Sequence, residues 1–213
     1  LLSLIFTTSI FAQTQNFQNS AMRQLSNLSN SNKNLTLGGY GEINFNGYDG
    51  QSNEIDVQRL VLLFAYKFDD RVQFVTEIEY EHVTELYVEQ AFLDYKIKDN
   101  MSLQAGLMLI PMGIQNLYHE PPTFNGVERT NVDKYIVPTT WREIGVGVNG
   151  RLPDASLSYQ AYIFNGFKST ELDGDQVNGL LKGSSGLRGG RQKGIQSTIS
   201  SPTFSAKLDY YGI

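Results

Sequence analysis

Residues 101–110 alternate strictly, with Leu103, Ala105, Leu107 and Leu109 on one parity and Ser102, Gln104, Gly106 and Met108 on the other. Residues 141–151 repeat the pattern, setting Ile144, Val146 and Val148 against Glu143, Gly145, Gly147 and Asn149. A period of two marks a strand with two unlike faces. Nine segments read as strands: 36–46, 55–68, 71–81, 86–97, 101–110, 141–151, 155–164, 191–200 and 203–213. Most are close to the roughly 9–11 residues that a tilted strand needs to cross a bilayer, whereas globular strands have a mode of about 5–6.

One face of these segments is apolar: Leu60, Leu62, Phe64, Tyr66 and Phe68; Val72, Phe74, Ile78 and Tyr80; Leu93, Tyr95 and Ile97; Phe204, Leu208 and Tyr210. The other carries Glu42, Arg59, Lys67, Gln73, Glu77, Glu79, Glu81, Gln90, Asp94, Lys96, Gln104, Glu143, Ser158, Gln160, Lys207 and Asp209. Apolar outward and polar inward, with aromatics near strand ends, describes the wall of a water-filled membrane barrel. A soluble sheet would turn the polar face outward instead. Glu89 and Arg142 break the pattern, because both fall on the apolar parity. A bulge or a subunit contact would accommodate them.

The connections alternate in length. Residues 69–71, 98–100, 152–154 and 201–202 read as tight turns, and 47–54, 82–85, 111–140 and 165–190 as longer loops. Short periplasmic turns and longer external loops are what an outer-membrane barrel shows. The fold class is therefore all-β, an antiparallel transmembrane β-barrel. Nine is an odd count where single-chain bacterial barrels have even ones, so residues 35–213 are expected to be part of a larger barrel. Face parity also sets a register between the second and third strands. With 69–71 in the turn, Tyr66 stands opposite Phe74, Leu63 opposite Glu77, and Arg59 opposite Glu81 with Glu79 diagonal. In a wet lumen such a pair is worth roughly 0–1 kcal/mol.

The longest connection, 111–140, exceeds the usual loop length of about 4–6 residues and is a candidate for function. It is expected to fold against the polar face between residues 118 and 134. That would make His119, Glu120, Glu128, Arg129, Asp133 and Lys134 a constriction.

Composition narrows the classes further. Charged residues are 18 % of the chain, against about 25 % in an average soluble domain, and there are 12 Tyr and 12 Phe. The net charge of −5 gives no footprint for nucleic acid, and with no cysteine there is no disulfide or thiolate metal site. Residues 1–12 read as a signal peptide with a truncated start, the mature chain beginning at Gln13. Residues 13–34, rich in Asn, Gln and Ser, read as a flexible periplasmic leader or a short, weak helix.

Three pieces then carry a resemblance: GLMLIPMG at 106–113, WREIGVG at 141–147 and IFNG at 163–166. In this order, and at strand ends, they resemble the phosphate-selective porin O and P family of Gram-negative outer membranes. The resemblance implies a 16-stranded, trimeric diffusion porin with a loop in the lumen, in contact with outer-membrane lipid and passing small hydrophilic solutes or ions. One feature departs from the family: Leu109 stands where a basic residue is common, and the polar face is acidic. Acidic linings favour cations, so phosphate selectivity is not carried over.

Catalytic and metal chemistry find no pattern. His82 and His119 have no metal-ligand spacing, and no Ser lies in the loop to act beside His119 and Glu120. The ladder Glu77-Glu79-Glu81 lacks the converging carbonyl oxygens a Ca²⁺ site uses and reads as lumen lining. The basic, glycine-rich 183–194 reads as a flexible external loop. No enzyme activity, cofactor or metal is expected. The competing reading is a structural or adhesive barrel without conductance.

Overall fold

The computed structural model describes residues 20–29, 32–121 and 130–212. Helix α1 (Ser20–Ser29) is followed by β1 (Leu35–Asn46), β2 (Glu54–Lys67), β3 (Val72–Glu81), β4 (Glu85–Lys98), β5 (Met101–Leu109), β6 (Arg142–Leu152) and β7 (Leu157–Asn165). A small hairpin, β8 (Thr170–Asp173) with β9 (Gln176–Gly179), precedes β10 (Pro202–Tyr210). β1 to β7 and β10 form one antiparallel sheet of eight strands, each paired with its neighbours in that order. The sheet is open, its edges being β1 and β10.

Two expectations about the last third are corrected. Residues 191–200 are not a strand, and β7 pairs directly with β10, from Asn165 opposite Pro202 to Leu157 opposite Tyr210. Left-handed backbone at Lys193 and Gln196 interrupts any extended run there. The Gln192 side chain closes the segment locally, its Oε1 accepting from Thr198 N at 2.7 Å and its Nε2 donating to Thr198 O at 3.0 Å. Among the described residues the sheet therefore has eight strands, and 201–202 ends a long loop instead of forming a turn. The loop 183–194, read as a flexible external loop, contains a 3₁₀ turn at Leu187–Gly190.

The length alternation survives this change except at 82–84, which is shorter than the turns 68–71 and 153–156. The turns 68–71, 99–100 and 153–156 lie at one end of the sheet, and 47–53, 82–84, 110–141 and 166–201 at the other. At the first turn Asp69 Oδ1 accepts hydrogen bonds from the backbone N–H of Arg71 and Val72 at 2.7 and 2.8 Å. These bonds hold its carboxyl below the usual range. The register that parity demands is present, with Arg59 opposite Glu81, Leu63 opposite Glu77 and Tyr66 opposite Phe74.

The two faces differ in what covers them. Leu37, Ile43, Phe45, Ile55, Phe68, Ile163, Phe204, Leu208 and Tyr210 are exposed on the apolar face. Soluble monomers rarely leave so continuous an apolar surface bare, and such a surface marks contact with a membrane or another protein. The polar face is covered by α1 and by the segment that follows β5. Glu89 departs from its parity because of a bulge: Glu77 pairs with Gln90 and Ile78 with Val88, leaving Glu89 as the extra residue.

Candidate pore wall

The polar face is built from cross-strand pairs that the register places side by side. Arg59 stands between Glu42 on β1 and Glu81 on β3. Its Nε meets Glu42 Oε2 at 2.7 Å, its Nη1 meets Glu79 Oε1 at 2.8 Å, and its Nη2 lies 3.9 Å from Glu81 Oε1. Arg59 is 7 % exposed, and the side chains of Glu42, Glu79 and Glu81 are 17 %, 3 % and 28 % exposed, so the expected wet pair is a cluster of one buried cation with one buried and two half-buried carboxylates.

Farther along the sheet the pairs become neutral-to-acid. Gln90 Nε2 donates to Glu77 Oε2 at 2.7 Å, and Gln104 Nε2 donates to Asp94 Oδ1 at 3.0 Å. Tyr162 Oη on β7 then donates to Gln104 Oε1 at 2.9 Å, reaching across β6. Gly147 allows this, because it lies between Gln104 and Tyr162 in register and a Cβ there would stand 1.8 Å from Tyr162 Cδ1. Gln160 Nε2 donates to Tyr162 Oη at 3.2 Å, which ends the run.

At the long-loop end, Glu143 is fully buried. It accepts from Asn165 Nδ2 at 2.5 Å, Gln192 N at 2.9 Å and Trp141 Nε1 at 3.2 Å. Trp141 stacks on Phe167 with ring centroids 4.5 Å apart and meets Phe164 edge-on. This aromatic cluster gives the rim of the wall a rigid base.

The segment after β5 turns back over the same face. Asn116 pins it: Nδ2 donates to Ile110 O at 2.7 Å and Trp141 O at 2.9 Å, while Oδ1 accepts from Trp141 N at 2.8 Å. Ser205 Oγ on β10 donates to Pro111 O at 3.2 Å. Tyr118 reaches the short-turn end, where the Lys207 ammonium lies 5.4 Å from its ring centroid. Burial and the nearby Asp209 carboxylate push the Tyr118 phenol up to about 12. A cavity of about 320 Å³ remains there between the segment and the wall, lined in part by Tyr118, Ser102, Asn149, Arg151, Gln160 and Asp209.

The expected site residues fall into four groups. Glu42, Arg59, Lys67, Gln73, Glu77, Glu79, Glu81, Gln90, Asp94, Gln104, Glu143, Gln160 and Lys207 share the covered face, and most of them are buried. Lys67 and Lys207 lie nearer the short-turn end and pair with Asp70 and Asp209, each at 3.2 Å. Of the loop residues, His119 and Glu120 are buried, with His119 Nδ1 3.0 Å from Asn116 O. Asp133 lies elsewhere, in a π-helical turn (Val132–Ile136), bonded to Thr130 Oγ1 at 2.7 Å. That turn packs against Leu187–Gly190 of the other long loop. Glu128 and Arg129 lie outside the described residues, as does the side chain of Lys134.

Sequence reasoning missed Arg23, Asn116, Tyr162 and Asn165. Arg23 Nη2 meets Glu120 Oε2 at 3.1 Å, joining α1 to the returning segment. A signal for α1 was present: Val61, Leu63, Ala65, Val75, Phe92 and Met108 are apolar residues on the polar parity, and such a patch needs a cover.

The family model described as phosphate-selective porin O and P matches residues 35–203. An uncharacterized protein of Aquifex aeolicus (strain VF5) is 40 % identical over 189 residues, covering 84 % of this chain and 41 % of the relative. This chain thus spans about two fifths of the length of that relative. A solved structure of an OmpT loop L8 deletion mutant, an outer membrane protein of Vibrio cholerae, aligns at 11 % identity with a TM-score of 0.30, over 69 % of this chain and 60 % of the other.

Proposed function

This chain belongs to the phosphate-selective porin O and P family, in the bacterial outer membrane, and from that premise we propose that its covered face is the wall of a water-filled diffusion channel. The channel passes small hydrophilic solutes or ions through a larger barrel, 16-stranded and trimeric as in the family, inserted behind the signal peptide at 1–12. The loop 111–140 narrows it.

One observation supports the reading above all. The segment after β5 returns across the charged face, from Pro111 against Ser205 to Tyr118 beside Lys207, while the apolar face stays bare for lipid. A structural barrel has no need to fill its interior with a loop anchored by Asn116, Ser205 and Lys207. The wall carries Glu42, Glu77, Glu79, Glu81, Asp94 and Glu143 against Arg59, Lys67, Lys96 and Lys207, so the channel favours cations over phosphate.

The test is single-channel recording of the purified protein in planar bilayers under a salt gradient. Discrete conductance steps with a cation-selective reversal potential are expected. A folded, inserted protein without conductance would instead be the structural or adhesive barrel.

A further inference from the structure

A water-filled lumen gives its wall no reason to carry a contiguous apolar patch. This wall carries one: Val61, Leu63 and Ala65 on β2, Val75 on β3, Phe92 on β4 and Met108 on β5, each almost wholly buried. Their cover is α1. Ala21, Leu25 and Leu28 follow one another at helical spacing on a single face and join Ala65, Val75, Phe92 and Met108 in one core cluster.

The fit extends beyond apolar contact. Gly38, on the polar parity of β1, leaves the space that the Gln24 amide fills; a Cβ there would stand 2.2 Å from Gln24 Nε2. On another side Arg23 pairs with Glu120 of the returning segment, whose side chain is 4 % exposed. The helix is therefore gripped by the wall and by the loop together. The Arg23 side chain is 58 % exposed despite this contact.

We propose that α1 is a resident part of the pore interior, seated between the wall and the loop after β5, and that Arg23 presents its charge to passing ions. Residues 20–29 then act as a second constriction beside the loop instead of a leader in the periplasm. The proposal rests on the pore reading above. It explains why hydrophobic residues on four adjacent strands occupy lumen positions, and why their positions match the stripe of a helix far from them in sequence.

The chain has no cysteine, so a single introduced thiol reports on its own surroundings. Asn27 is exposed on α1 and makes no part of the proposed wall. In planar bilayers, N27C treated with a small, negatively charged methanethiosulfonate should lose conductance and shift its reversal potential toward cations. Each protein is its own reference before labelling, and the treated parent protein should not change. Complete labelling by mass spectrometry with conductance and reversal potential unaltered would overturn the seat of α1 while leaving the pore intact. A protein that passes no current before labelling would defeat the pore reading, and this inference with it. Arg23→Gln supplies an independent readout: a reversal potential shifted toward cations supports the role of Arg23, and an unchanged one overturns it.

Discussion

The Glu89 carboxylate and the Arg142 guanidinium stand 2.6 Å apart at the long-loop rim of the sheet, with side chains 4 % and 5 % exposed. Each is an anomaly alone and the partner of the other. The bulge at Glu89 turns it out of the ladder between β3 and β4, and Arg142 opens β6 at the same rim. Part of the loop 166–201 reaches this place, for Gly194 lies against Leu107 and Ile144, and Lys193 stands 6.0 Å from the Tyr87 ring.

Removing one partner of this pair leaves the other a buried charge without its nearest counterion. Arg142→Met should destabilise the protein by about 3–5 kcal/mol, and Glu89→Gln combined with Arg142→Met should cost less than Arg142→Met alone. Urea unfolding followed by heat-modifiable gel mobility compares them. A double variant no more stable than Arg142→Met would show that the pair is not what Arg142 needs.

Asn116→Ala should release the segment after β5. The buried Trp141 N–H loses its acceptor and Ile110 O a donor, a loss of about 1–3 kcal/mol. Limited proteolysis between residues 111 and 121 should become faster, while sheet content by circular dichroism stays the same. Unchanged cleavage would show that Ser205 and Tyr118 suffice to hold the segment.

Arg59→Met should act on stability and selectivity at once. Arg59 and Glu79 are buried with Glu42 half-buried beside them, and hydrogen bonds of this charged kind contribute about 1.5–3 kcal/mol, more than a wet pair would. Three carboxylates then remain without their cation, so the reversal potential should move toward cations. Movement toward anions would contradict the assignment of this face to the lumen.

The turn at Asp69 should respond to acid. Its folded carboxyl is held low by the N–H groups of Arg71 and Val72, so its contribution is present above the ordinary carboxylate pKa of about 3.9 and fades as pH falls through the lowered value. Amide exchange at residues 70–72 should be faster in Asp69→Ala than in the parent at neutral pH. The two should converge in strong acid. A difference that persists there would remove the carboxylate from the explanation.

Consecutive residues were enough to specify the strands, their two faces and the β2–β3 register. An alternation of side chains is a local property, and a hairpin with a three-residue turn leaves parity a single short solution. The same local reasoning placed a strand at 191–200, where the left-handed residues Lys193 and Gln196 and the side-chain clasp of Gln192 rule one out. It also read 13–34 by composition. Helix α1 owes its place to an apolar patch assembled from four strands, and its tie to the loop joins residues 97 positions apart. A short, weakly helical segment is stabilised by what it packs on, not by its own propensity. Glu89 and Arg142 likewise could be seen as exceptions from parity alone, but only the bulge and the folding of the rim bring them within 2.6 Å. Periodicity determines which way each side chain points; pairing across the sheet and over its rim is decided by distances that exist only once the chain has folded.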